Sequence, residues 1–211
     1  MILKTRQDIK AEAKSRFQDN SSSNICAYLL YFALAVVVTS ATVSLGAYLL
    51  VPVFLIALKR FFLRAYLGDI LSAGELLTGM FDNYGRKLGA YWWSALWSFL
   101  WSLLFVIPGI VKGIAYSFVP YIVAMHPDVT AKNALILSDR MTKGYKMDIF
   151  ITALSFFGWE LLSGLTLGIL EIVYVGPYRE LTFAGIYTQL ERNALENHTI
   201  TLEQLDGEEI Y

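Results

Sequence analysis

Cysteine and histidine are nearly missing from this chain, and charge is thin. The single cysteine, Cys26, excludes an internal disulfide, and no neighbour suggests a metal or a nucleophilic partner for it, so it reads as a small buried hydrophobe. The two histidines, His126 and His198, stand apart from any Ser and Asp set, and His126 beside Pro127 and Asp128 reads as a helix terminator rather than a base. There is no metal-spaced cluster, no phosphate-cradling glycine loop and no nucleotide motif. Enzymatic activity, cofactors, bound metals and nucleic-acid partners are therefore not expected. Charged residues make up 17% of the chain, where a soluble domain carries about 25%. What fills the space is apolar: 56% of 211 residues, with a mean hydropathy of +0.50.

Bilayer hydrocarbon is about 30 Å thick and takes roughly 20 helical residues to cross. Residues 24–45 carry no charge, Gly46 breaks the run, and a second run ends in Lys59, Arg60 and Arg64, whose stems can snorkel and carry the helix to Leu67. A third run covers residues 88–111, and after Lys112 a short return over residues 113–125 calls for tilt, thinning or sheltering neighbours. Residues 149–170 and 172–190 form the last pair. The expected fold is all-α: an integral membrane bundle of six transmembrane helices in three parallel hairpins (about 24–67, 88–126 and 149–190). These lie in a membrane domain of residues 1–192, followed by an acidic cytoplasmic tail, 193–211. More than twenty residues, most of them polar, precede the first run, so it is expected to stay as an anchor, not a cleaved signal.

Basic loops stay cytoplasmic. Lys4, Arg6, Lys10, Lys14 and Arg16 precede the first crossing, Lys59, Arg60, Arg64, Arg86 and Lys87 lie between the second and third, and Lys132, Arg140, Lys143 and Lys146 between the fourth and fifth. Lys112 alone falls on the opposite side, so both termini are expected in the cytoplasm.

A tyrosine precedes a proline by three or four residues at each return: Tyr48 and Pro52, Tyr116 and Pro120, Tyr174 and Pro177, with Tyr121 and Tyr178 following the last two prolines. Proline in the first turn of a helix loses no hydrogen bond, and tyrosine suits the outer interface. Aligning Trp101, Gly109, Tyr116 and Pro120 with Trp159, Gly168, Tyr174 and Pro177 supports parallel repeats, unlike the inverted repeats of many transporters. An amphipathic segment precedes each hairpin. Ile9, Ala13 and Phe17 form a stripe on an expected interfacial helix of residues 1–20, attracted to anionic lipid; a solvated flanking helix is the other reading. Leu76, Leu77, Met80 and Phe81 form the second, and Ala131, Leu135, Ser138 and Met141 the third. The tail, with Glu196, Glu203, Asp206, Glu208 and Glu209, reads as a solvated end, with a docking peptide as the alternative.

Two groups of residues are candidates for function. Glu160 and Arg179 lie about ten and nine residues from the last turn, roughly 15 Å deep on adjacent helices, where they can pair, with Glu180 and Glu171 near. Charge at that depth marks either an ion pair fixing the hairpin register or a transport or ligand site. Trp93, Trp97 and Trp101 form an aromatic stripe beside Ser94, Ser98 and Ser102; the tryptophans fill a core or line a binding wall, and the serines let helices approach closely. Gly164 and Gly168 offer a weaker close-contact face.

Residues 107–128, reading Ile-Pro-Gly-Ile-Val-Lys-Gly-Ile-Ala-Tyr-Ser-Phe-Val-Pro-Tyr-Ile-Val-Ala-Met-His-Pro-Asp, resemble a bacterial membrane family catalogued as domain of unknown function nine-seven-five. The likeness takes in residues 134–144, Phe150, the Phe157-Gly-Trp159 segment and the opening residues 4–14. It implies a multi-pass protein of the bacterial cytoplasmic membrane. It also implies a looser similarity to the membrane domain of glycerophosphodiester phosphodiesterases, with no catalytic residues to carry over. The expected role is that of an accessory, scaffold or immunity-like partner of other membrane components, with lipid as the surrounding partner. The alternative is a small-molecule or lipid transporter built on Glu160, Arg179 and the tryptophans.

Overall fold

A computed structural model describes residues 5–41, 45–104, 106–208 and 210, which form ten α-helices, one 3-10 turn and one π turn, with no strand among the described residues. Helix α1 (Arg6–Asp19) starts in a capping box: the Thr5 hydroxyl accepts from the Asp8 N–H while the Asp8 carboxylate accepts from the Thr5 N–H. Its stripe of Ile9, Ala13 and Phe17 is buried in the protein core. The apolar face assigned to the membrane interface is thus consumed by packing, chiefly on α9.

Helices α2 (Ser21–Ala41) and α3 (Leu45–Leu67) form the first pair, and Gly46, expected to break the run, lies inside α3. Tyr28 near the start of α2 meets Phe62 near the end of α3, ring centroids 6.4 Å apart, so the two run antiparallel. Pro52 also lies inside α3 rather than in its first turn. Proline has no N–H, so the carbonyl four residues earlier loses its helical partner. That carbonyl belongs to Tyr48, and the Trp92 indole N–H donates to it at 3.0 Å, with the Tyr48 and Trp92 rings 5.5 Å apart. The Tyr84 hydroxyl donates to the next carbonyl, Leu49, at 2.9 Å. The proline therefore docks α4 onto α3.

After a 3-10 turn (Ala73–Leu77) come α4 (Tyr84–Leu104), α5 (Val106–Tyr116) and α6 (Val119–Met125). The third apolar run thus ends at Leu104, seven residues earlier than expected, and Lys112 belongs to the returning helix. A Cβ added at Gly109 would lie 2.6 Å from the Ser102 Cα, so glycine is what lets α5 turn back this tightly on α4. Gly164 and Gly168 make no such contact, since a Cβ on either meets nothing within 4 Å.

Helix α7 (Ala131–Thr142) is capped by the Thr130 hydroxyl, and Asn133, Ala134, Leu137, Ser138 and Met141 are buried, so it is a packed element and not a surface helix. Helix α8 (Lys146–Leu165), a π turn (Glu171–Val175), α9 (Gly176–Glu196) and the short α10 (Leu202–Leu205) complete the chain. Pro120 and Pro177 lie in the first turns of α6 and α9. The acidic tail is not a solvated end: Ile200, Leu205 and Ile210 join the core, and the Asn133 side-chain amide donates to the Glu208 carbonyl at 3.1 Å. Cys26, expected in the interior, is exposed.

Helix α9 packs on α1, α3 and α7, and α3 in turn on α2, α4 and α6. By contrast α2, α4 and α8 turn large apolar side chains outward, among them Phe32, Val37, Phe99, Leu103, Leu154 and Phe157. Among the described residues, three stretches, Ser21–Ser40, Pro108–Met125 and Lys146–Leu165, are long and apolar enough to cross a membrane.

The proline linkage is open to a double-mutant cycle. Trp92→Phe, which removes the donor to Tyr48, is expected to lower unfolding stability by about 1 kcal/mol in detergent. In a Pro52→Ala background, where residue 52 regains its N–H, the same change is expected to be nearly neutral; an equal loss in both backgrounds would refute the compensation.

Candidate functional site

Arg179, on the second turn of α9, reaches Glu160 of α8 at 2.7 Å and Glu171 of the π turn at 2.9 Å. The Tyr28 hydroxyl donates to Glu171 at 3.1 Å, and Arg179 donates to the Tyr28 oxygen at 3.4 Å. Tyr28 can reach because Gly176 presents no side chain: a Cβ there would lie 2.3 Å from the tyrosine ring. One guanidinium thus bridges two carboxylates and ties α2, α8 and α9 together.

Glu180, grouped with these residues on sequence grounds, belongs to a different pair. Adjacent residues on a helix point about 100° apart, so Glu180 faces α3, where the Lys59 ammonium donates to both its carboxylate oxygens at 3.0 and 2.7 Å. The glutamate side chain is 7% exposed and the lysine 17%. Lys59 therefore does not snorkel to headgroups; its stem crosses to α9. Its ammonium also lies 5.2 Å above the ring of Tyr121, which stacks on Tyr187 at 5.4 Å. The signal that could have revealed this pair was the presence of two opposite charges, each stranded in an apolar run. Their separation of 121 residues hid it.

Further along α9, Glu191 meets His126 at 2.9 Å, so this histidine, which ends α6, is not isolated. Of the tyrosines expected at an outer interface, Tyr48 is exposed, whereas Tyr174 packs edge-on against Phe17 of α1, centroids 5.5 Å apart. Tyr121 is buried, and Tyr178 packs on Phe156.

Trp93, Trp97 and Trp101 line one side of a groove of about 510 Å³. Opposite stands a stripe of α7, Lys132, Leu135, Ile136, Asp139 and Arg140, with Lys112 and Tyr116 of α5 also lining it. None of the three indole N–H groups has a hydrogen-bond acceptor among the described residues. Lys112, expected in a loop on the far side, binds Asp139 at 2.9 Å, and Lys146 binds the other oxygen of that carboxylate at 2.7 Å. Burial opposes ionisation of Asp139, but the hydrogen bonds from Lys146 and Lys112 outweigh it and hold the carboxyl below its usual range. Such a groove can take an amphiphile with an acidic end: indole faces for apolar surface, N–H groups and cations for the polar end.

The described residues define a class, an all-helical protein in which the charges of α9 that meet apolar surroundings are matched by opposite charges on neighbouring elements. The chain belongs to the family described as Protein of unknown function (DUF975), which matches residues 70–194. The likeness noted at residues 4–14 lies outside that match. No curated protein and no solved structure matches the chain.

The buried pair makes a sharp test. Glu180→Gln leaves Lys59 charged and unpaired in the interior and is expected to cost about 3–5 kcal/mol in thermal unfolding, whereas the double change Lys59→Met with Glu180→Leu restores most of it. A double variant no more stable than Glu180→Gln would show that the two charges do not depend on each other. Asp139 has a depressed folded-state value, so its contribution is present above about pH 4 and is lost as pH falls through that lowered value. Asp139→Asn is expected to flatten this acid limb of the stability curve, and an unchanged limb would assign it to other carboxylates.

Proposed function

We propose that this chain is a non-enzymatic multi-pass protein of the bacterial cytoplasmic membrane, serving as an accessory or scaffold for other membrane components. Six crossings in three hairpins place both termini in the cytoplasm. The observation that carries the reading is the internal pairing of charge: Arg179 with Glu160 and Glu171, and Lys59 with Glu180. Charges matched to each other stabilise a particular helix arrangement, while a transport site needs charges that can exchange partners. What the chain then presents outward is apolar, on α2, α4 and α8, the chemistry of lipid contact and helix docking. That Lys112 and Lys146 both donate to Asp139 also supports the orientation, because it groups the one exceptional basic residue with one of the others.

A second reading rests on the tryptophan groove: a carrier of an amphiphile, with Trp93, Trp97 and Trp101 holding the cargo. Crosslinking in the native membrane followed by co-purification separates the two. A reproducible protein partner is expected, retained by Trp97→Ala and lost when Leu154 and Phe157 on α8 are changed to Ser. Solute or lipid movement in proteoliposomes that falls with Trp97→Ala, with no partner recovered, would overturn the scaffold reading in favour of transport.

A further inference from the structure

Where the C-terminal half of α3, residues 78–87 and the end of α6 meet, there is a second cavity of about 450 Å³, lined by Arg60, Arg64, Arg86, Lys87 and Asp82 among others. Its cations differ from those described above in what holds them. Arg86 donates to the carbonyls of Val123, His126 and Val129 at 2.8–3.0 Å. Lys87, 7% exposed, donates to those of Gly79 and Met80 at 2.8 and 3.1 Å. Arg60 donates to that of Thr78 at 3.2 Å. Carbonyl dipoles orient a cation without cancelling its charge. Among the described residues, Arg64 alone of these four has carboxylate partners within ion-pair distance, Asp69 at 2.8 Å and Glu75 at 3.5 Å. Asp82 is then the one acid on the wall facing three positive groups; Asp128, off the wall, offsets part of the Arg86 charge, and the positive excess that is left is one an anion would relieve.

The roles within the cavity are unequal. Arg86 and Lys87 give most of their donors to backbone carbonyls and act through charge. Arg60 uses one N–H and has the rest of its fork available for a bidentate bond to phosphate. Burial first, then the charge of Arg60, pushes the Lys87 ammonium below its ordinary value, with Asp82 opposing and Arg86 adding to the shift. The surroundings indicate where the anion comes from. The stretch of chain between the wall residues Arg64 and Asp82 exposes Leu67, Ile70, Leu77 and Phe81, with Ile70 92% exposed, and Phe81 directly precedes Asp82. Apolar side chains standing out beside a basic cavity match an acyl chain beside a headgroup.

We propose that this cavity binds the phosphate headgroup of an anionic phospholipid from the adjoining leaflet, with Arg60 gripping the phosphate, Arg86 and Lys87 supplying charge, and Leu77 and Phe81 among the acyl chains. This rests on the membrane reading given above, and the two are separable.

The test is thermal unfolding of the full chain in neutral detergent, titrated with phosphatidylglycerol, phosphatidylcholine or inorganic phosphate. The expected result is a midpoint rise with phosphatidylglycerol alone. Arg60→Gln is expected to weaken the response about fivefold and Asp82→Asn to strengthen it by a similar factor, with no effect of Lys14→Gln on α1, which contributes nothing to the cavity wall. An equal shift with phosphatidylcholine, equal weakening by Lys14→Gln and Arg60→Gln, or no change in either pocket variant would overturn the proposal. A full response to inorganic phosphate would also overturn it, assigning the cavity to a dissolved anion. If Arg60→Gln fails to fold, Asp82→Asn decides alone. Cell fractionation tests the underlying reading separately: a chain in the soluble fraction sinks both, and a chain in the membrane with no lipid response sinks only the pocket.

Discussion

A charge placed in an apolar interior must find its opposite there or cost the fold several kcal/mol, and the arrangement of this protein follows from that constraint. Glu180 and Lys59 meet this requirement together, and Arg179 meets it by reaching Glu171 and the more exposed Glu160. Consecutive residues of α9 aim these two sets in different directions, one at α3 and one at α8 and the π turn. Helix α9 is thereby pinned between its neighbours, and its remaining apolar residues, from Leu181 through Leu190, complete the core against α1, α3 and α7.

The same rule governs the backbone. Pro52 leaves the Tyr48 carbonyl without its helical donor, and the vacancy is filled from another helix by Trp92. Arg86 plays a comparable part at the end of α6, where the final carbonyls of a helix have no internal partners, and Lys87 at the carbonyls of Gly79 and Met80. Several cations and aromatic donors thus work as structural plugs. The difference between a plug and a site lies in what is left over: carbonyls satisfy the donors of Arg86 and Lys87 yet leave the charge in the basic cavity standing. The tryptophan groove differs again. There Asp139 offsets part of the charge of Lys112 and Lys146, while the indole N–H groups lack acceptors among the described residues.

Composition and run length made the all-helical class and the positions of most helices legible, because apolar runs bounded by charge define where a helix begins and ends. The pairing of Glu160 with Arg179 was also readable, since both are a similar number of residues from one turn. Other inferences missed for a common reason. The stripe of Ile9, Ala13 and Phe17 looks the same whether it faces lipid or protein, and only α9 lying against it decides. Lys112 interrupts an apolar run whether it marks a loop or reaches from a helix to a carboxylate. The tail is acidic by count, but Ile200, Leu205 and Ile210 are spaced to dock between the acids.

The sequence alone determined the helical class, the apolar helices and the family, because these depend on local composition and on short ordered strings of residues. Tertiary structure decided which charge meets which, that Lys59 crosses to Glu180 over 121 residues, that α7 and the tail are packed, and that basic residues scattered from Arg60 to Lys87 gather around one cavity. Those outcomes depend on long-range approach, and the physical requirement that drives them, compensation of buried charge and of unpaired backbone groups, does not by itself name the partner.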